Sequence, residues 1–394
     1  MSLSRIVLGI TGGIAAYKAA ELTRLFVKAG VAVDVCMTPA ACRFITPLTL
    51  QALSGRPVFA DLWASGAENG MGHINLSRGA DTIVVAPASA DFLAKVAHGY
   101  ADDLLSTLVL ARDCNLVVAP AMNRQMWANA ANQRNIAQLA ADGVVVLSPG
   151  TGEQACGETG EGRMQEPEEI YAAVMALAQP KVLAGKRILL TAGPTFEAID
   201  PVRGITNTSS GKMGFALAQA AAEAGALVTL VSGPTPLATP PGVRRIDVTS
   251  AAQMAEAVDG SLRGVDAFVA VAAVADYTPS APATKKVKKS NAPLTIELKP
   301  TADILASVAA RPNAPYCVGF AAETDDVDRN ADEKRRRKKV PLIIANHAQD
   351  AFGRDDNEVT LVDDDGAHPL PRMEKLTLAR RLIAEIANRL AARA

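Results

Sequence analysis

The chain of 394 residues predicts an α/β fold in two tandem domains, on three observations. Short runs of branched apolar residues end repeatedly in glycine, proline or small-residue turns, with helical sequence between them. The opening pattern, a strand running into glycine-rich sequence, starts again at Lys186. The length also exceeds what one hydrophobic core ordinarily serves. The expected domains are 1–180 and 181–394, with QPKVLAGK (179–186) as the linker.

In order along the first half, RIVLGI (5–10) reads as a buried strand. TGGIAAYKAAELTRLFVKAG (11–30) reads as a turn and a helix with Leu22, Leu25, Phe26 and Ala29 on one face, and VAVDVCM (31–37) as a second strand. This βαβ unit makes a parallel sheet the default. Residues 81–89, 114–122 and 143–149 repeat the theme, giving a doubly wound, flavodoxin-like or Rossmann-like domain that closes with a helix near residue 178. The second half, Rossmann-like in turn, offers strands at 186–195, 226–233, 243–249, 265–276, 315–324, 340–346 and 358–364. Helices are expected at 212–224, 251–259, 301–310, 326–339 and 374–392, with an irregular stretch at 278–293.

A net charge of −1 removes any global attraction to nucleic acid or to an anionic membrane. No apolar run reaches about 18 residues and no secretory leader is evident, so a cytoplasmic protein is expected. Five cysteines without a CxxC pair, beside four histidines, argue against a disulfide framework or structural zinc. They leave any metal ligands unassigned.

Cys156, in ACGETGEGRM (155–164), is the most informative residue. Gly157, Gly160 and Gly162 argue against a stable helix or strand there, so the segment is expected to be a mobile flap. Glu153, Glu158, Glu161 and Arg163 surround the thiol with charge, which favours a closing proton donor over a buried small hydrophobe. Thr11, Gly12 and Gly13 offer backbone N–H groups at the carboxyl end of the first strand. Thr38, Thr46 and Phe44 follow the second strand and PASAD (87–91) another, so a mononucleotide such as FMN would span these turns. No acidic residue closes strand two, which counts against NAD. His73 follows a flexible stretch, SGAENGMG, and a lone histidine is usually structural. Asn123 suits either a substrate carboxylate or a helix cap.

In the second half, AGPTFEAIDPVRGITNTSSGKMG (192–214) is compatible with a phosphate cradle or a capped loop. The density of Thr206, Asn207, Thr208, Ser209, Ser210 and Lys212 favours the cradle, although the spacing is not that of a Walker A loop. KKVKK (285–289) and KRRRKK (334–339) would clamp a triphosphate or be solvated faces.

TGGIAAYK, HINL, PAMNRQMW and ACGETGEGRM together resemble the signature set of the flavin-dependent cysteine decarboxylases. AGPT, NTSSGKMG, AAVADY, KKVKK, GFAAET and KRRRKK resemble phosphopantothenate-cysteine ligase. Their order, over essentially the whole chain, is similar to that of the bacterial bifunctional coenzyme A biosynthesis proteins. For the first half the resemblance implies FMN held near Thr11, Gly12, Gly13, Ile14 and Ala15, at Thr38 and Phe44, and at Ala86, Pro87, Ala88 and Ser89. It makes His73 the essential histidine, Asn123 the substrate amide and Cys156 the flap acid of a 4'-phosphopantothenoylcysteine decarboxylase. For the second half it implies CTP-dependent ligation of 4'-phosphopantothenate to cysteine through an acyl-cytidylate, with Mg2+. Lys286 would support formation of that intermediate, with Lys288 and Lys289 as rivals, and Arg203 and Asn207 would handle it. Ala272, Asp276, Lys286, Phe320, Lys334 and Lys338 fall on nucleotide-binding positions. Homo-oligomers built from decarboxylase trimers and ligase dimers are implied as well. The rival readings are a non-catalytic flavin-binding regulator or scaffold, an NAD-dependent dehydrogenase and, more distantly, a nucleic-acid binder.

Overall fold

A computed structural model describes residues 3–62, 72–288, 294–323, 325–347 and 354–393 and divides the chain into two units, Met1–Gln179 and Pro180–Ala394. Unit 1 has a six-stranded parallel sheet. Its strands are β1 (Arg5–Ile10), β2 (Ala32–Met37), β3 (Val58–Phe59), β4 (Thr82–Ala88), β5 (Asn115–Pro120) and β6 (Val145–Val146). The order β3-β2-β1-β4-β5-β6 reverses between β1 and β4, which opens a crevice at their carboxyl ends. Around it lie α1 (Lys18–Lys28), α2 (Pro47–Ser54), α3 (Gly72–Arg78), α4 (Ala90–His98), α5 (Leu104–Leu110), α6 (Arg124–Ala128), α7 (Ala130–Ala141) and α8 (Pro167–Leu177).

The strands are largely apolar because both faces of the sheet are covered, and the buried Asp34 of β2 is met by Arg5 and Arg56 at 2.6 Å. Ile6, Leu8 and Ile10 pack with Leu22 and Phe26 of α1 and Ile170 and Val174 of α8. Val7 points the other way, among Phe92, Leu105 and Leu139 of α4, α5 and α7. Each fully buried side chain of this size contributes roughly 1.5–3 kcal/mol. The buried face of α1 is Ala19, Leu22, Thr23 and Phe26. Leu25 is half-buried and Ala29, expected on that face, is exposed beyond the last helical turn.

Residues 155–164 do not form the strandless flap that their glycines suggested. β7 (Gly150–Glu153) and β8 (Thr159–Arg163) form an antiparallel hairpin with Cys156 in its turn. Gly160 and Gly162 lie inside β8, and Gly157, at φ +81°, belongs to the turn.

Unit 2 holds an eight-stranded sheet and two small hairpins. The strands are β9 (Arg187–Ala192), β10 (Glu197–Ala198), β11 (Gly204–Ile205), β12 (Leu227–Ser232), β13 (Val243–Asp247), β14 (Ala267–Ala270), β15 (Tyr277–Pro279), β16 (Leu298–Pro300), β17 (Tyr316–Glu323), β18 (Leu342–His347), β19 (Asp356–Asp363) and β20 (Gly366–Glu374). The sheet order is β13-β12-β9-β14-β17-β18-β19-β20, parallel up to β18 and antiparallel over the last two strands. One face packs on α9 (Lys212–Glu223) and the C-terminal helix Lys375–Arg393. The other packs on α10 (Ala251–Ser261), α11 (Ile304–Ala309) and α12 (Val327–Lys338).

The apolar run 265–276, expected as one strand, leaves the sheet after Ala270. The N–H groups of Val271 and Ala272 both donate to Thr191 Oγ1 at 3.2 Å, so hydroxyl capping replaces the ladder there. β20 had no counterpart among the expected strands, since its prolines and charges carry no apolar alternation. Among the described residues no helix is long and apolar enough to cross a membrane.

α9 crosses β9 closely at Gly214, where a Cβ would stand 2.5 Å from Ala192 Cβ. Gly→Ala favours a helix interior by about 1 kcal/mol, whereas overpacking a core costs about 1–3 kcal/mol. Gly214→Ala is therefore expected to lower the urea midpoint of unit 2 at unchanged m-value. A raised midpoint would show that helix propensity outweighs the clash.

Candidate active sites

A cavity of about 680 Å³ lies at the carboxyl edge of the unit 1 sheet. The turn after β1 contributes Gly12, Gly13, Ile14 and Ala15, the turn after β4 Ser89, the turn after β5 Met122 and Asn123, and the hairpin tip Gln154, Ala155 and Cys156. Thr11 joins two of these turns from beneath: its Oγ1 donates to the Pro87 carbonyl at 2.8 Å and accepts the Ser89 N–H at 2.9 Å. Ser89 in turn caps α4 by accepting the Phe92 N–H. Among the described residues no acceptor meets the N–H groups of Gly12, Gly13 or Ile14, leaving donors for an anion.

Thr38, Phe44, Ala86, Pro87 and Ala88 lie outside the lining. Thr38 is buried, its hydroxyl accepting the Ala41 N–H, and Phe44 is exposed on the turn after β2. Ala86, Pro87 and Ala88 are buried within β4. His73 sits in the first turn of α3; its side chain, like the stretch 63–71 before it, lies outside the described residues.

Asn123 caps a helix and also turns its amide toward the hairpin tip. Its Oδ1 caps α6 by accepting the Gln125 N–H at 2.8 Å, while its Nδ2 faces the hairpin tip. That amide donates to Glu158 Oε2 at 2.6 Å and lies 3.6 Å from Cys156 Sγ. The Asn123 amide foremost, and then Arg124, hold the Glu158 carboxyl below its usual range. Cys156 is exposed, so it is not packing material. Gly162, at φ +135°, allows the approach: a Cβ there would stand 2.5 Å from the Met122 carbonyl oxygen.

Sequence reasoning passed over two neighbours. In sequence Glu158 reads only as charge near the thiol, although it occupies the Asn123 amide. Lys18 is buried and lines the cavity, its Nζ donating to Glu166 at 2.8 Å and to the Met164 carbonyl at 3.2 Å. Its place in TGGIAAYK, one helical turn past the glycines, was the available signal.

In unit 2 the site candidates lie in the turns after β9 and β14, with Phe320 on β17. Asn207 Nδ2 donates to the Ala273 carbonyl at 2.5 Å and its Oδ1 accepts the Ser209 N–H at 3.0 Å. Thr206 Oγ1 donates to the Thr195 carbonyl, and Lys212 pairs with Asp355 at 2.6 Å. These side chains are spent within the protein, so the capped-loop reading fits them better than the cradle. Ala272 is half-buried, Asp276 exposed and Phe320 half-buried on β17. Arg203 donates to the buried Asp200 and to the Val287 carbonyl. Lys286 and Lys288 are exposed, and Lys289 lies outside the described residues.

The KRRRKK run is not uniformly available to a phosphate. Arg335 is buried against Asp332 and Asp364. Lys338 pairs at 2.8 Å with Asp303, which caps α11, and Lys334 is half-buried. Among the described residues no group of three His, Cys, Asp or Glu side chains is placed to hold a metal ion.

Residues 1–179 match the family described as Flavoprotein, and residues 183–390 the DNA/pantothenate metabolism flavoprotein C-terminal domain. The chain is 53% identical to the coenzyme A biosynthesis bifunctional protein CoaBC of Vibrio cholerae, over 95% of this chain and 96% of that protein. It is 48% identical to the Escherichia coli K12 protein of the same description, over 99% and 98%. The chain belongs to the bifunctional coenzyme A biosynthesis proteins. It is an enzyme that joins a flavoprotein decarboxylase to a ligase. Among solved structures it is similar to the C-terminal domain of CoaBC, at 42% identity and TM-score 0.47 over 54% of this chain and 99% of that one. It is also similar to a cysteine-to-serine mutant of a PPC decarboxylase complexed with pantothenoylaminoethenethiol, at 34% identity and TM-score 0.40 over 44% and 96%.

Burial separates the five thiols of this family member. Desolvation pushes Cys36 up strongly and Cys317 up to about 11, and it raises Cys42 and Cys114 as well. Since the thiolate is the reactive form, iodoacetamide at about pH 8 is expected to label Cys156 first, and Cys36 and Cys317 only on unfolding. Peptide mapping after a short pulse checks this; early label on Cys317 would contradict it.

Proposed function

We propose that residues 1–180 decarboxylate 4'-phosphopantothenoylcysteine with FMN and that residues 181–394 ligate 4'-phosphopantothenate to cysteine with CTP. The observation that carries the first assignment is the meeting of Asn123 and Cys156 at the rim of one cavity, with unspent backbone donors beside them. These residues fit a flavin mononucleotide: the Gly12–Gly13 turn would take its phosphate, and the apolar Ala15, Met122 and Met126 would border its ring. When bound, the flavin supplies reversible oxidation at the thiol-bearing carbon, which gives the departing carboxylate's electrons a place to go.

The chain's own residues do the rest. The Asn123 amide, which donates to the Glu158 carboxylate in this structure, would donate to the substrate carboxylate and hold it without a competing charge. Cys156, on the hairpin tip, would deliver the final proton. Cys156→Ser is expected to keep the fold and the bound flavin and to release CO2 once, leaving the flavin reduced without oxygen. Unchanged formation of 4'-phosphopantetheine in an anaerobic single turnover would show that Cys156 is not the acid.

For the ligase, a carboxylate needs a leaving group, and cytidylation provides one. Mg2+ travels with the triphosphate, and Lys286 offsets its charge with Asp276, Phe320, Lys334 and Lys338 on the nucleotide. Lys286→Gln is expected to suppress formation of the acyl-cytidylate. Asn207→Asp would set a carboxylate against the Ala273 carbonyl, repel developing negative charge and let the intermediate accumulate. Trapping equal amounts of intermediate in both variants would refute this division of roles.

Supply of phosphopantothenate, cysteine, Mg2+ and each nucleoside triphosphate in turn, with CO2 and 4'-phosphopantetheine followed, tests the whole assignment. Exposed Ile14 and Tyr17 at the cavity of unit 1, with exposed Phe44 and Leu48 on the turn and helix after β2, are apolar surface suited to contact between copies, which we read as decarboxylase trimers joined by ligase dimers. Five unpaired thiols suit the cytoplasm.

A further inference from the structure

We infer that Asp200 is a positioning residue of the ligase, holding Arg203 and the lysine segment 285–288 in one fixed arrangement. Its side chain is fully buried, and five N–H groups converge on it. Oδ1 accepts the backbone N–H groups of Val202 at 2.8 Å and Arg203 at 2.9 Å, which closes the β10–β11 turn. Oδ2 accepts Arg203 Nη2 at 2.6 Å and Nε at 3.1 Å, and also the N–H of Val287 at 3.1 Å.

Arg203 Nη2 completes the clasp by donating to the Val287 carbonyl at 2.6 Å. Both backbone groups of Val287 are therefore held by one ion pair, and Ala283, four residues earlier, donates to the Ile199 carbonyl at 2.8 Å. A carboxylate that served only its own turn would have no use for a partner 87 residues away.

Val287 stands between Lys286 and Lys288, both exposed. The segment lies in no regular element, so without the clasp its lysines would pay for ordering whenever a polyphosphate arrived. The pairing also neutralises the buried Asp200 charge and leaves the lysines as the field that a triphosphate meets. Asp200 reaches the reacting groups only through its neighbours.

The inference rests on the reading of this lysine segment as the group that supports acyl-cytidylate formation, so the test uses two readouts. Asp200→Asn weakens the clasp from the carboxylate side, and Val287→Pro removes the segment's N–H without touching the Asp200–Arg203 pair. In the full-length chain, tryptic cleavage after Lys285 and Lys288 is expected to quicken about tenfold in each variant. Acyl-cytidylate formation should slow about 10- to 100-fold, with decarboxylation unchanged. Should Asp200→Asn fail to fold, Val287→Pro decides alone.

Wild-type cleavage rates overturn the clasp. Faster cleavage with normal acyl-cytidylate formation in the clasp variants, while Lys286→Gln is slow, overturns its positioning role. Normal formation in Lys286→Gln instead refutes the reading of the segment.

Discussion

Two-sided burial of a parallel sheet is the constraint on which the molecule depends. Once helices cover both faces, a strand keeps little polar surface, and buried polar groups such as Asp34 and Thr191 are spent on partners within the protein. Polar and catalytic groups are displaced to the carboxyl ends, where the chain leaves the sheet and its backbone donors go unspent. In unit 1 this gathers the turns after β1, β4 and β5 around one cavity. In unit 2 the loops after β9 and β14 meet instead, with Asn207 donating to the Ala273 carbonyl.

Each unit then adds an antiparallel hairpin to a site that the sheet alone would leave incomplete. In unit 1 the β7–β8 hairpin brings Cys156 to Asn123. In unit 2 the β10–β11 turn carries Asp200 and Arg203 to the lysine segment. Both additions reach their partners through charged or polar contacts.

The strand–turn–helix openings of both halves were legible because period and punctuation coincide there. α1 shows the resolution of such reading: its apolar period was clear, yet Ala29 falls past the last turn and Thr23 takes a buried place. The hairpin at 150–163 was misread because glycine signals freedom in sequence and contact in structure. Gly162 is small so that β8 can lie against the Met122 carbonyl, which no local pattern announces. The run KRRRKK concealed a similar division, since only the fold sends Arg335 inward to Asp364 while Lys338 stays beside Asp303. Asn123 and Cys156 stood out by residue type and position. Asp200 did not, because its partner Val287 lies far along the chain.

One edge of the unit 2 sheet is β20, GAHPLPRME. Strands so placed invite pairing with any unpaired strand nearby, including another molecule's. Pro369 and Pro371 deprive this one of two amide donors, and Arg372 and Glu374 add charges that a docking ribbon would have to desolvate. Both features discourage growth of the sheet by strand addition on this side.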